Sequence, residues 1–317
     1  LVLTSLRQPE DIRKLLVIVI GSAICVALYT VARAGLAGSI VRSVYSQAAL
    51  IAALAGFAMV IQRMHRIVTF GPVLDRLSIC LLFAIAVGTA HRSVWLALGA
   101  GFAVTLFFYH KRAAVMAKIV TLLVIGAFAA SLAISVFPEM GTQLTKKFDG
   151  LMNPTSDGTA SWRMEGWRQQ LEALDGSEVF FGNGLGGYYK WRQDRYTTIT
   201  ASPHNAYIQL VLKFGLLGLL IYLLVVIEIF YKGISARKGL GQGSMRAYLE
   251  MGLVSLGAGH AYVFGYGFEP IILVFFAITA VTLKFLPNAS THLARAYQYR
   301  IPVSPEIPRS AGNPGSA

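Results

Sequence analysis

Apolar runs of similar length, separated by short polar and basic joints, set the pattern of this chain. Leu15–Ala32, Ser46–Ile61, Val73–Ala90, Val94–Tyr109, Ile119–Phe137, Ala206–Phe230, Tyr248–Phe264 and Ile271–Leu286 are the runs. Each approaches the roughly 20 residues that carry a helix across a bilayer. They predict eight transmembrane helices, five before one long polar interval and three after it. The second run is rich in Ala and Gly, which favours close helix packing in lipid. Pro138 ends or bends the fifth.

The interval has its own pattern. Ser161 to Leu174 reads as a helix with Arg163 and Trp167 on one face, four residues apart. Phe181-Gly182-Asn183-Gly184-Leu185-Gly186-Gly187 reads as turns with close backbone approach. His204 then stands at the restart of apolar sequence, with Asn205 placed to cap the new helix. The expected divisions are 1–137 (five spans), 138–205 (a long loop with short helices), 206–286 (three spans) and 287–317 (a polar tail). Leu1 to Leu6 resembles the end of a preceding span, so further helices are expected ahead of it in a longer protein.

Composition decides the class. Charged residues make up 14% of the chain and hydrophobic ones 55%, with mean hydropathy +0.59. A soluble chain carries about 25% charged residues, so this is an integral membrane protein of all-α, polytopic class. The net charge of +13 sits mostly in the joints on one side of the expected bundle. Lys14, Arg63, Arg66, Lys111, Arg112, Lys118, Lys232, Arg237, Lys238 and Arg246 share that side; only Arg33, Arg42 and Arg92 fall in short joints on the other. By the positive-inside rule the first side is cytoplasmic and the long interval external. That distribution accounts for the basic excess and leaves no nucleic-acid partner to invoke. Cys25 and Cys80 lie within apolar runs and read as small buried hydrophobes. No nucleotide or metal motif is found.

Arg92 is the sharpest candidate, because a guanidinium between two apolar runs is costly unless it snorkels or meets an anion. Arg33, Arg42 and Arg163 reach the same face, and the arginine fork suits phosphate oxygens. The plain alternatives are lipid-phosphate contact for Arg92 and ordinary joint charge for Arg33 and Arg42. Trp162, Trp167 and Trp191 read as interfacial anchors or sugar-stacking rings. His204 reads as a helix-start residue or a proton acceptor. His65 and His110, among basic residues, read as facing headgroups.

Four elements, Thr89-Ala90-His91-Arg92-Ser93-Val94-Trp95, Arg163-Met164-Glu165-Gly166-Trp167, Phe181-Gly182-Asn183-Gly184-Leu185-Gly186 and His204-Asn205-Ala206-Tyr207, are arranged around one long loop. In that order the chain resembles the bacterial O-antigen ligase and Wzy-type polysaccharide polymerase superfamily. The resemblance implies a membrane glycosyltransferase fold of GT-C-like type in the bacterial inner membrane, with its site facing the periplasm. It implies a metal-independent, inverting transfer without cofactor. The glycan would move from undecaprenyl pyrophosphate to lipid A-core in a ligase, or to a growing glycan in a polymerase. It carries His204, Arg92 and Arg163 as catalytic residues and Arg33, Arg42, His91, Glu165, Trp167, Asn205 and Tyr207 as substrate contacts. Where ligases often show a histidine pair, His204 here has Pro203 and Asn205 as neighbours. A transporter of an anionic substrate is the rival class. Its marks would be mid-span ionisable residues, or inverted repeats with broken helices, and neither is read from the runs.

Overall fold

The computed structural model describes residues 9–37, 46–89, 91–113, 117, 135, 138–153, 158–186, 189–193, 196–200, 203–241, 243–267 and 270–285. The fifth apolar run and the tail beyond 285 lie outside the described residues. The other seven runs are helices: α1 (Pro9–Ala37), α2 (Ser46–Met64), α3 (Pro72–Gly88), α4 (Arg92–Tyr109), α8 (Ala206–Gly239), α9 (Ser244–Phe264) and α10 (Pro270–Phe285). The interval holds α5 (Pro138–Met152), α6 (Gly158–Glu172) and α7 (Glu178–Phe181). It also holds a hairpin of β1 (Tyr189–Gln193) and β2 (Tyr196–Thr200).

Among the described residues, four helices are long and apolar enough to cross a membrane: α1 over Glu10–Arg33, α2, α4 and α8. The apolar part of α10, Ile271–Lys284, is shorter. α3 has 17 residues and carries Asp75 near its start, while α9 opens with Arg246 and Glu250. The molecule is therefore a largely helical, multi-pass membrane protein.

Several expected boundaries move. Among the described residues α1 is already helical at Pro9, inside what reads as a polar joint, and Glu10 and Asp11 stand in its first turn, where they complement the helix dipole. It also runs through Arg33, expected in a loop, to Ala37. α8 runs past Phe230 to Gly239, so Lys232, Arg237 and Lys238 are helical; Lys232 pairs with Glu228 at 2.9 Å. The interval holds short helices as expected, and a strand pair that was not expected. The run Tyr196-Thr197-Thr198-Ile199-Thr200 is aromatic and β-branched, which favours a pleated strand, and it pairs antiparallel with β1 from Tyr189↔Thr200 to Gln193↔Tyr196.

α9 is enclosed along most of its length and packs against α2, α4 and α10. α2 is buried along most of its length, as its small residues predict. Phe57 of α2 meets Phe83 and Phe102 edge-on at 5.3 and 5.1 Å. A side chain at Gly101 would enter that ring, its Cβ 2.4 Å from Phe57 Cε2. Cys25 and Cys80 are free and exposed, contrary to the burial read from the sequence. Apolar sequence in a membrane helix does not fix which face is inward, since lipid covers apolar side chains as well as protein does.

The two ends of the bundle are chemically distinct. At one end meet the starts of α2, α4 and α8 and the end of α9, through the contacts described below. At the other, Glu250 of α9 is fully buried and gathers the remaining ends. It takes hydrogen bonds from Arg237 Nε of α8 (2.5 Å), Arg246 Nε (2.9 Å) and Tyr109 Oη of α4, and lies 2.8 Å from His65 Nε2 beyond α2. Arg237 also donates to the Phe108 carbonyl at 2.6 Å. His65 is therefore a buried partner of a carboxylate, not a headgroup-facing residue. An unpaired carboxylate there would be too costly to bury.

Candidate functional site

The site is built around the turn that ends α9, Gly265-Tyr266. Four parts of the chain reach it. The Arg163 guanidinium of α6 donates through Nη1 to the Gly265 carbonyl at 3.1 Å. The Ala206 amide of α8 donates to the Tyr266 carbonyl at 3.1 Å. The His204 ring lies against the Tyr266 ring, centroids 5.7 Å apart. The first turn of α4 packs beneath, such that a Cβ at Gly265 would lie 3.2 Å from Ser93 Cβ. Tyr266 in turn contacts Tyr262, whose hydroxyl donates to Ser46 Oγ at 3.1 Å and brings in the start of α2.

The helix α6 works as a clamp. Its Trp167 Nε1 donates to the Pro203 carbonyl at 2.5 Å, while Arg163 holds Gly265. One residue thus grips the backbone just before His204, and the other grips the turn against which His204 packs. The spacing of four places both on one helix face. Gln169 extends the clamp by pairing both ways with the backbone of Arg192 in β1, each bond 2.9 Å. Trp167 is therefore anchored to protein rather than to headgroups.

His204 itself has φ 56°, left-handed for a residue with a side chain. Such conformations cost about 1–3 kcal/mol and persist only where surroundings impose them. Here Trp167, Tyr266 and the α8 cap impose it. Asn205 Oδ1 accepts from Tyr207 N (3.0 Å) and Ile208 N (3.1 Å), the cap its position predicts. Burial, and then the Arg163 charge, pull the His204 pKa below its ordinary value. The shift favours the neutral imidazole, the form that accepts a proton.

Below the site, α8 is broken. Gly215 has φ 67°, ψ −173° within an otherwise helical run. Two carbonyls at the break are taken up by the interval: Asn183 N donates to Leu212 O (2.8 Å) and Gly184 N to Lys213 O (3.1 Å). A Cβ at Gly215 would lie 2.0 Å from Phe180 O, and one at Gly182 2.3 Å from Lys213 C. The close approach read from the glycines is this interlock. The break departs from the expectation of unbroken spans.

Residues 77–223 match the O-antigen ligase family. The chain carries an O-antigen ligase family domain. The match runs from α3 through the interval into α8, so it takes in Arg92, Arg163, His204 and both glycines of the interlock. Gly265 and Tyr266, which complete the site, lie beyond it. No curated protein and no solved structure matches the chain.

Within this ligase-family domain the other candidates are distributed unevenly. Arg92 is half-buried as the first residue of α4, with His91 as its N-cap; the His91 carbonyl accepts from Val94 and Trp95. Arg33 is exposed on α1, and Arg42 lies outside the described residues. Glu165 is held by Arg168 (2.7 and 3.0 Å) and Gln169 (2.7 Å), whose hydrogen bonds lower its pKa to about 2. The Tyr207 hydroxyl turns into the bundle, 3.2 Å from both Nδ1 and the carbonyl of His260; Tyr222 reaches the same Nδ1 at 3.3 Å. The sequence reading missed Gly265, Tyr266 and His260. A Gly-aromatic-Gly turn between two apolar runs was the available signal for the first two. It also missed Gln170, 2% exposed, one turn beyond Trp167, whose amide atoms have no partner among the described residues.

Proposed function

We propose that this protein transfers a glycan from undecaprenyl pyrophosphate to an acceptor hydroxyl at the external membrane face, as an O-antigen ligase with lipid A-core as acceptor. The observation that carries it is the α6 clamp: Trp167 binds the backbone just before a strained histidine in the stretch similar to the ligase family, and Arg163 binds the turn against which that histidine packs. The acceptor oxygen attacks the anomeric carbon, and the bond from that carbon to the pyrophosphate oxygen breaks, with inversion. His204 takes the hydroxyl proton. Arg163 and Arg92 meet the charge on the departing pyrophosphate, the kind of stabilisation that carries most of the rate where the leaving group is already good. Neither metal nor cofactor has a part in this scheme. Arg33, Arg42, His91, Glu165, Trp167, Asn205 and Tyr207 belong to the proposed glycan-binding surroundings.

The GT-C-like fold, the division at 137, 205 and 286, and the orientation with the interval in the periplasm of a bacterial inner membrane are parts of the same proposal. The orientation is supported by the charge asymmetry between the two sides. The test uses the full-length protein in vesicles, with lipid-linked glycan supplied on the face of the interval. Lipid A-core gaining the mass of the glycan is the expected result. Glycan lengthened on its own lipid carrier identifies a polymerase instead. Lipid-linked glycan crossing the bilayer with its mass unchanged identifies a transporter and overturns the proposal.

A further inference from the structure

The interlock at Gly215 places an uncharged segment where soluble loops are not found. Val179-Phe180-Phe181-Gly182-Asn183-Gly184-Leu185-Gly186 carries no charge, while Asp175 and Glu178 precede it and Lys190 follows. Its large side chains point away from the protein: Phe180 is 60% exposed, Phe181 66% and Leu185 73%. Three such residues in water would form an apolar patch of the kind that marks an interaction site.

Its level along α8 identifies the partner. From Phe214 to Tyr231 the helix is uncharged apart from the Glu228 near its far end. That stretch is about 27 Å long at 1.5 Å per residue, close to the roughly 30 Å of a hydrocarbon core. The break therefore lies at the outer boundary of the core, with Lys213 at headgroup level. Lys213 Nζ donates to the Leu185 carbonyl at 2.6 Å, which ties the segment to that level. Exposed Phe214, Leu216 and Leu217 continue the apolar surface directly onto the lipid face of α8.

The backbone fits the same place. Five consecutive amides are satisfied by protein: Phe180 and Phe181 donate to Ser177 O, Gly182 to Glu178 O, Asn183 to Leu212 O and Gly184 to Lys213 O. A water-facing turn has no need of this. Non-helical backbone at membrane depth persists only where protein or enclosed water satisfies it.

We infer that residues 179–186 form a wedge seated in the leaflet on the side of the site, with Phe180, Phe181 and Leu185 among the acyl chains just below the headgroups. The partner is the bilayer itself. The wedge pins the broken helix to the boundary, so that His204, ahead of the break, stands at a set height above the lipid. The inference does not depend on the proposed transfer reaction.

The test places single cysteines at Phe181 and Leu185 in full-length chain carrying Cys25→Ser and Cys80→Ser. Both positions are exposed, so packing is untouched. Asp175→Cys, exposed on the polar side of the same turn, is the reference. Each is labelled with a nitroxide in phosphatidylethanolamine–phosphatidylglycerol vesicles, and collision with oxygen is compared with collision with a water-soluble nickel chelate. Labels at Phe181 and Leu185 are expected to favour oxygen severalfold more than the label at Asp175. Nickel access at both positions equal to that at Asp175 overturns the wedge.

Discussion

His204 joins a backbone that most residues avoid to a side chain whose pKa burial and Arg163 pull down, towards the neutral form. The two properties separate by substitution, because asparagine tolerates the left-handed region nearly as well as any residue with a side chain. His204→Asn is expected to fold and to bind donor, and to transfer about 10²–10⁴ times more slowly, the usual worth of a positioned acid or base. An unchanged rate removes the imidazole from the chemistry. The pH profile gives a second reading. A lowered histidine pKa means the protein should retain activity below the ordinary histidine range, losing it only as the ring protonates. Arg163→Gln takes away part of that lowering, so its acidic limb should move to higher pH. A limb that stays in place assigns the acid loss to another group. Arg163 and Trp167 were legible as a pair from their spacing. Their destinations were not, because Gly265 and Pro203 offer only backbone carbonyls, which no side-chain pattern announces. His65 failed for the opposite reason: its neighbours Arg63 and Arg66 dominate the local sequence, while its partner Glu250 lies in another helix.

Among the elements, α8 is the one whose sequence misleads. Its run of apolar residues reads as a single span, and the helix dipeptides around Gly215 give no stop. The break comes from tertiary contact, since the amides of Asn183 and Gly184 replace the helical partners of Leu212 and Lys213. Gly215→Ala should be among the most damaging single substitutions in the chain. Left-handed backbone at a non-glycine costs about 1–3 kcal/mol, and the Cβ would also strike the Phe180 carbonyl. Gly239→Ala, at the far end of the same helix with open space around it, is the comparison and should be near neutral. Thermal unfolding in detergent measures both. Equal midpoints for the two variants would mean that the break is not enforced by residues 180–184. The hairpin after α7 was legible in retrospect from its threonines and tyrosines, but its strands lie in an interval whose glycines pointed only to turns.

Across the whole molecule the buried charges lie at one end of the bundle and the candidate chemistry at the other. Glu250 with Arg237, Arg246, His65 and Tyr109 ties together α4, α8, α9 and the joint after α2. Removing one partner of a buried ion pair costs about 3–5 kcal/mol because the other charges stay behind. Glu250→Gln is therefore expected to lower the unfolding midpoint by a wide margin and to leave the rate per folded molecule close to the parent's. A variant as stable as the parent would show that the cluster does not hold these helices. The class, and the helices at seven of the eight runs, were open to sequence reading because bilayer thickness acts on each run separately. The way the ends knot together was not, because it rests on pairs far apart in the chain. One such pair has a consequence in the cell. Gly265 follows Arg163 by 102 residues. At roughly 5–20 residues per second, a ribosome delivers Arg163 about 5–20 s before the carbonyl that will hold it. During that time the interval has already left the ribosome, while the α9 turn does not yet exist. A chain stalled before Gly265 would already hold α1 to α8 and still lack the carbonyl that Arg163 grips.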